Sequence, residues 1–177
     1  MKTLFISLLM LCMTSVSSAQ GRKISGVTFP PEMDLKGTSL FFNGCGLRSK
    51  IGIDLYVAGL YLKKPTMDEN KAIKADEVQA IKIVIVSSKV TRDKFNDAVK
   101  EGFENASPFN ATTDQIKSFK SFFAAPFKVN DEINMIYKPG KGTLVTINGQ
   151  FKGIIKGLPF KKALFAIWLG NKPAQGK

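Results

Sequence analysis

Apolar runs of strand length give way along this chain to stretches where apolar residues recur every three or four positions, and then return. Gly26 to Leu35 reads as a short extended segment broken by Pro30-Pro31, and Thr38 to Asn43 as β-rich. Ile51 to Leu62 alternates poorly but is rich in Ile, Leu, Val and Tyr, the pattern of a strand covered on both faces. Pro65 to Asp76 is polar, with room for a short helix, and Ala80 to Ser87 is the clearest strand. Thr91 then stands where an N-cap belongs, ahead of Phe95, Val99, Gly102 and Phe103 at helical spacing.

Thr112-Thr113-Asp114-Gln115 has the capping-box pattern and opens a second helix with Ile116, Phe119 and Phe123 on one face, ended by Pro126. Glu132 to Tyr137, Gly142 to Ile147 and Gln150 to Ile155 follow as antiparallel strands, with Pro139-Gly140 and Asn148-Gly149 as turns. A last helix has Pro159 near its start and Gly170 at its end, with Phe160, Leu164, Ile167 and Trp168 inward. Runs of strands interrupted by a helix pair and closed by another helix predict an α+β domain with an antiparallel sheet.

The first residues read as an address. Met1-Lys2 is a short positive region, Leu4 to Met13 an apolar core too short to span a bilayer, and Ser17-Ser18-Ala19 a small-residue cleavage site. Residues 1–19 are therefore expected to be a signal peptide and residues 20–177 the domain, placing the protein in the periplasm or outside the cell. The cleaved chain keeps one cysteine, Cys45, so no intramolecular disulfide can form and stability must come from packing.

Lys and Arg number 26 against 14 Asp and Glu, a net charge of +12. The lysines, among them Lys63, Lys64, Lys71, Lys74, Lys82, Lys117, Lys120, Lys161 and Lys162, are dispersed without a basic run or an aromatic-interleaved RNA motif, so a solvated basic surface is expected and nucleic acid is not. Such a surface would attract anionic membranes or steer acidic ligands, both weakening as salt rises.

The chain has no histidine, which excludes Ser-His-Asp, Cys-His and histidine-metal sites. No P-loop, dinucleotide fingerprint or metal-spaced cysteine pair is present, and no cofactor is implied. Asp54 and the Glu101/Glu104 pair are spaced like solvated positions. Most informative is Phe42 to Leu62, where a glycine-broken turn carrying Arg48 leads into the long apolar strand. A guanidinium beside apolar surface needs a carboxylate, enolate or carbonyl to accept from its planar fork, so the segment points to an apolar ligand with an acidic head. Tyr56 could direct its hydroxyl at the same head, or be a core tyrosine with a backbone partner. Arg48 could instead pair internally, with Asp54 or Glu101.

This segment, with Gly59-Leu60-Tyr61-Leu62 closing its strand, resembles the chalcone isomerase family, and the likeness extends through Phe95 to Phe103 and to Ile167-Trp168-Leu169-Gly170-Asn171-Lys172-Pro173. The resemblance implies an open β-sandwich, its antiparallel sheet packed by helices on one side, with a ligand cleft between sheet and helices. Arg48 falls on the family's functional arginine, while the plant enzymes' strand threonine, helix tyrosine and C-terminal hydroxyl residue fall at Tyr56, near Pro108 and Phe109, and at Ile167. The expected ligand residues are thus Arg48, Tyr56, Phe103, Phe109, Phe119 and Ile167, with Arg48 and Tyr56 catalytic if the protein is an enzyme. Three functions are carried forward: a non-catalytic binder of a fatty acid or other apolar carboxylate, an isomerase or intramolecular lyase on a chalcone-like or other enone, and a basic module acting at anionic surfaces.

Overall fold

A computed structural model describes residues 21–174. The expected signal peptide lies outside the described residues. A small hairpin, β1 (Arg22–Ile24) with β2 (Val27–Phe29), precedes a seven-stranded antiparallel meander. Its strands, in order both along the chain and across the sheet, are β3 (Glu32–Asp34), β4 (Ser39–Lys50), β5 (Ile53–Leu62), β6 (Gln79–Ile85), β7 (Glu132–Lys138), β8 (Gly142–Ile147) and β9 (Gln150–Ile155). The helices are α1 (Glu69–Lys74), α2 (Arg92–Asn105), α3 (Thr113–Ser121) and α4 (Leu158–Leu169). The sheet curls into a half-barrel with these four helices on one side, the architecture expected from the sequence.

Local chemistry sets the helix starts. The Thr91 hydroxyl accepts from the Lys94 N–H, and Thr112 and Gln115 complete a reciprocal capping box. Helix α4 is apolar almost all round because it lies between the sheet and the other helices. Phe119 is fully buried, with ring centroids 5.1–6.3 Å from Phe103, Phe122, Phe123 and Phe160, and this aromatic cluster welds α2, α3 and α4 together. On the opposite face of the sheet, Phe29 of the small hairpin packs over Gly59, where a Cβ would collide with its ring, and joins Leu40, Val57, Tyr61 and Ala80 in a second core.

Two expectations are corrected. Gly44-Cys45-Gly46 forms no turn: β4 runs unbroken from Ser39 to Lys50, and the chain reverses at Ile51-Gly52. Glycine's weak strand preference is overridden by the long ladder with β5, and the irregularity is taken up by a bulge between Phe42 and Gly44. Nor is every lysine solvated. Lys161 is fully buried, its ammonium 2.9 Å from each of the carbonyls of Ala72, Ile73 and Ala75, so it caps the C-terminal end of α1 from α4. Lys82 is half-buried and pairs with Glu132 at 2.7 Å.

Candidate functional site

Residues directly opposite across an antiparallel pair share a face of the sheet. Gly44 stands opposite Leu60, Gly46 opposite Ala58 and Arg48 opposite Tyr56, and Leu60, Ala58 and Tyr56 all belong to the core that faces the helices. The period-two spacing Gly44, Gly46, Arg48 therefore lines β4's inner face with two missing side chains and then a guanidinium. Where the side chains are missing a cleft opens, of about 190 Å³, floored by Gly44, Gly46, Ala58 and Leu60 and walled by Trp168 and Leu169 at the end of α4. A Cβ on Gly44 would meet nothing within 4 Å. A second lobe of about 190 Å³ shares Asn43, Leu60 and Leu169 and runs on toward Met67 and Ala72 of the α1 region. The Asn43 side chain, displaced by the bulge, accepts from the Thr66 N–H at 2.7 Å and fixes the loop between the two lobes.

At the other end of this face Tyr56 is buried and its hydroxyl oxygen accepts from Trp168 Nε1 at 3.1 Å. No acceptor among the described residues takes the phenolic proton. Burial pushes the Tyr56 phenol up, only partly offset by the Trp168 hydrogen bond and the charge of Arg48. It therefore stays a neutral O–H at physiological pH, a donor and a poor base. Arg48 is half-buried and makes no hydrogen bond or ion pair among the described residues. Neither expected internal partner holds it: Asp54 accepts from Ser25 and Ser49, and Glu101 is exposed on α2. An unpaired fork beside an unshared phenolic proton can receive a carboxylate or an enolate oxygen.

Arg48 and Tyr56 are thus brought opposite each other on the face that carries the cleft, two residues beyond its Gly46–Ala58 floor rather than in its lining, and the other expected ligand residues lie elsewhere. Phe103 and Phe119 lie in the packed aromatic cluster, and Ile167 is buried against Gly102. Phe109 is half-buried beside a dent of about 40 Å³ near the end of α4. Gly44, Gly46 and Leu169 line the cleft without belonging to the expected set; the glycine–arginine spacing carries a period-two signal, whereas nothing local marks Leu169. A larger open groove of about 610 Å³ lies between Phe122–Lys128 and the β8–β9 hairpin. Its carboxylate, Asp131, already accepts from the Lys128 N–H and from Asn148, and its cations, Lys128 and Lys152, are exposed to solvent rather than half-buried on the inner face as Arg48 is. Cys45 is half-buried, and burial raises its thiol, so it is not a poised nucleophile.

A curled antiparallel sheet with helices packed on one side defines a chalcone isomerase-like fold. The chain belongs to the chalcone isomerase-like family, whose model matches residues 21–177. Its fold is similar to that of a fatty-acid binding protein from Arabidopsis thaliana, with a TM-score of 0.68 and 22% identity over 85% of this chain and 88% of that one. Among curated proteins no sequence matches.

Proposed function

We propose that this protein binds a long-chain fatty acid or a similar apolar carboxylate, without turning it over, in the cleft between β4, β5 and α4, and that it acts outside the cytoplasm once residues 1–19 are removed. The observation that carries the reading is Arg48: a half-buried guanidinium on the inner face with no acid partner among the described residues, beside the unshared proton of Tyr56. A neutral phenol and a fixed cation hold an anion well but give little acid–base power, which favours binding over reaction. The Arabidopsis protein of similar fold is a fatty-acid binder, which supports the same ligand class here. Small-molecule sites usually begin near about 300 Å³. Each lobe alone is smaller, so the alkyl tail should use both, passing Leu60 and Leu169.

Mass spectrometry of ligand co-purifying with the protein, followed by titration with a long-chain fatty acid, tests the proposal. Gly44→Ile should keep the fold, since the new side chain enters open space, and should weaken binding by about 2–3 kcal/mol by displacing three to four methylenes of the tail. Undiminished binding in that variant would place the ligand elsewhere. Stereoselective cyclisation of naringenin chalcone well above the spontaneous rate would replace the binder with an enzyme. N-terminal sequencing of protein from the native host should begin at or near Gln20; a retained Met1 would sink the exported assignment.

A further inference from the structure

Among the described residues three two-residue hairpin turns place both residues at positive φ, at Ser25-Gly26, Ile51-Gly52 and Asn148-Gly149. Ser and Asn are ordinary occupants of the first position, whereas a β-branched residue there is an outlier. Ile51 adopts φ 51° and is 92% exposed, so neither backbone preference nor core packing accounts for it. Ile53, its neighbour across the turn, is 43% exposed. The β1–β2 turn lies alongside, because Ser25 donates to Asp54 at 2.9 Å. Arg48 and Lys50 precede the turn on β4 and Lys23 stands two residues before Ser25 on β1, while the acid on β1, β2, β4 and β5 is Asp54, whose oxygens are engaged by Ser25 and Ser49.

We infer that the β4–β5 hairpin tip docks on a bilayer surface bearing anionic lipid headgroups, with Ile51 and Ile53 entering the acyl boundary and Lys23 and Lys50 meeting the headgroups. The occupant follows from charge complementarity: two exposed isoleucines at the end of strands that carry Lys23, Arg48 and Lys50, on a chain of net charge +12, fit an apolar layer beneath negative charge. A second copy of this chain would bring the same cations face to face. Docking in this orientation sets Arg48, three residues from the tip, close to headgroup level, which would let an amphiphile pass between bilayer and cleft. That purpose rests on the proposed binding function; the docking itself does not.

The test is co-sedimentation with vesicles of phosphatidylcholine, pure or with one third phosphatidylglycerol. The protein should bind the anionic vesicles, release as salt rises, and ignore the neutral ones. Ile51→Asn should bind about fivefold more weakly or less, while its Tm rises by a few degrees because Asn accepts the left-handed turn. Lys50→Glu should also lose the vesicles. Fatty-acid titration of Ile51→Asn in solution should match wild type, so a failed docking surface and a failed ligand site give different results. Vesicle binding unaltered in Ile51→Asn would overturn the inference. Equal binding to neutral vesicles, or a wild-type dimer that Ile51→Asn dissolves, would overturn it too.

Discussion

Arg48→Ala is expected to weaken fatty-acid binding by about 2–5 kcal/mol, some 30-fold to several thousandfold, with no loss of fold. The size reflects a charge-assisted fork removed from a partly desolvated site, which strands the ligand carboxylate. Stability is spared because no described residue depends on Arg48 for a hydrogen bond or an ion pair. Arg48→Lys should recover only part of the loss, keeping the charge without the planar fork. The methyl ester is the matching control: it should bind wild type as weakly as the acid binds Arg48→Ala, and the variant should not distinguish acid from ester. Equal affinity in every combination would make Arg48 structural. So would a collapse of the circular dichroism signal in Arg48→Ala.

Lys161→Met should destabilise the protein by about 3 kcal/mol, lowering Tm by roughly 6–12 °C. Methionine fills much the same volume but leaves the carbonyls of Ala72, Ile73 and Ala75 without the ammonium that satisfies them. The rings of Phe165 and Tyr137, 4.7 and 5.6 Å from that ammonium, lose a cation as well. A pH signature accompanies the change. Burial, with Lys162 adding to it against Asp76 and Glu77, pushes the Lys161 ammonium down to about 7, below its value in the unfolded chain. Above that pH the unfolded chain binds more protons than the native one, so the contribution of this group to stability rises with pH from about 7 toward about 10. The gap between wild type and Lys161→Met should widen over that window in thermal melts. A flat or narrowing gap would mean that the three carbonyls hold the proton more firmly than burial expels it.

Much of the fold was legible because its signals are local. The capping box at Thr112 and Gln115, the Asn148-Gly149 turn and the inward face of Phe160, Leu164, Ile167 and Trp168 each declare themselves within a few residues. Arg48 stands out in the sequence, although its setting does not: Gly44 and Gly46 suggest a turn until the ladder to β5 supplies the pairing that keeps them extended. What stayed hidden depends on distant partners. Lys161 resembles its exposed neighbours in sequence, and only the end of α1, 86 to 89 positions away, distinguishes it. Phe103 and Phe119 fit a ligand wall as well as a core by spacing alone, and the cluster around Phe160 settles their packing.

The hydrogen bond between Trp168 and Tyr56 joins residues 112 positions apart, and Trp168 is the chain's only tryptophan. Its indole forms one wall of the cleft while its N–H anchors the phenol beside Arg48. The protein thus carries a built-in fluorophore at the junction of its last helix and its longest hairpin. Emission excited selectively from that indole reports the polarity of the cleft and the docking of α4 at once, without a label. A ligand entering the cleft and a chain coming apart would shift the same band in opposite directions, one shielding the ring from water and the other exposing it.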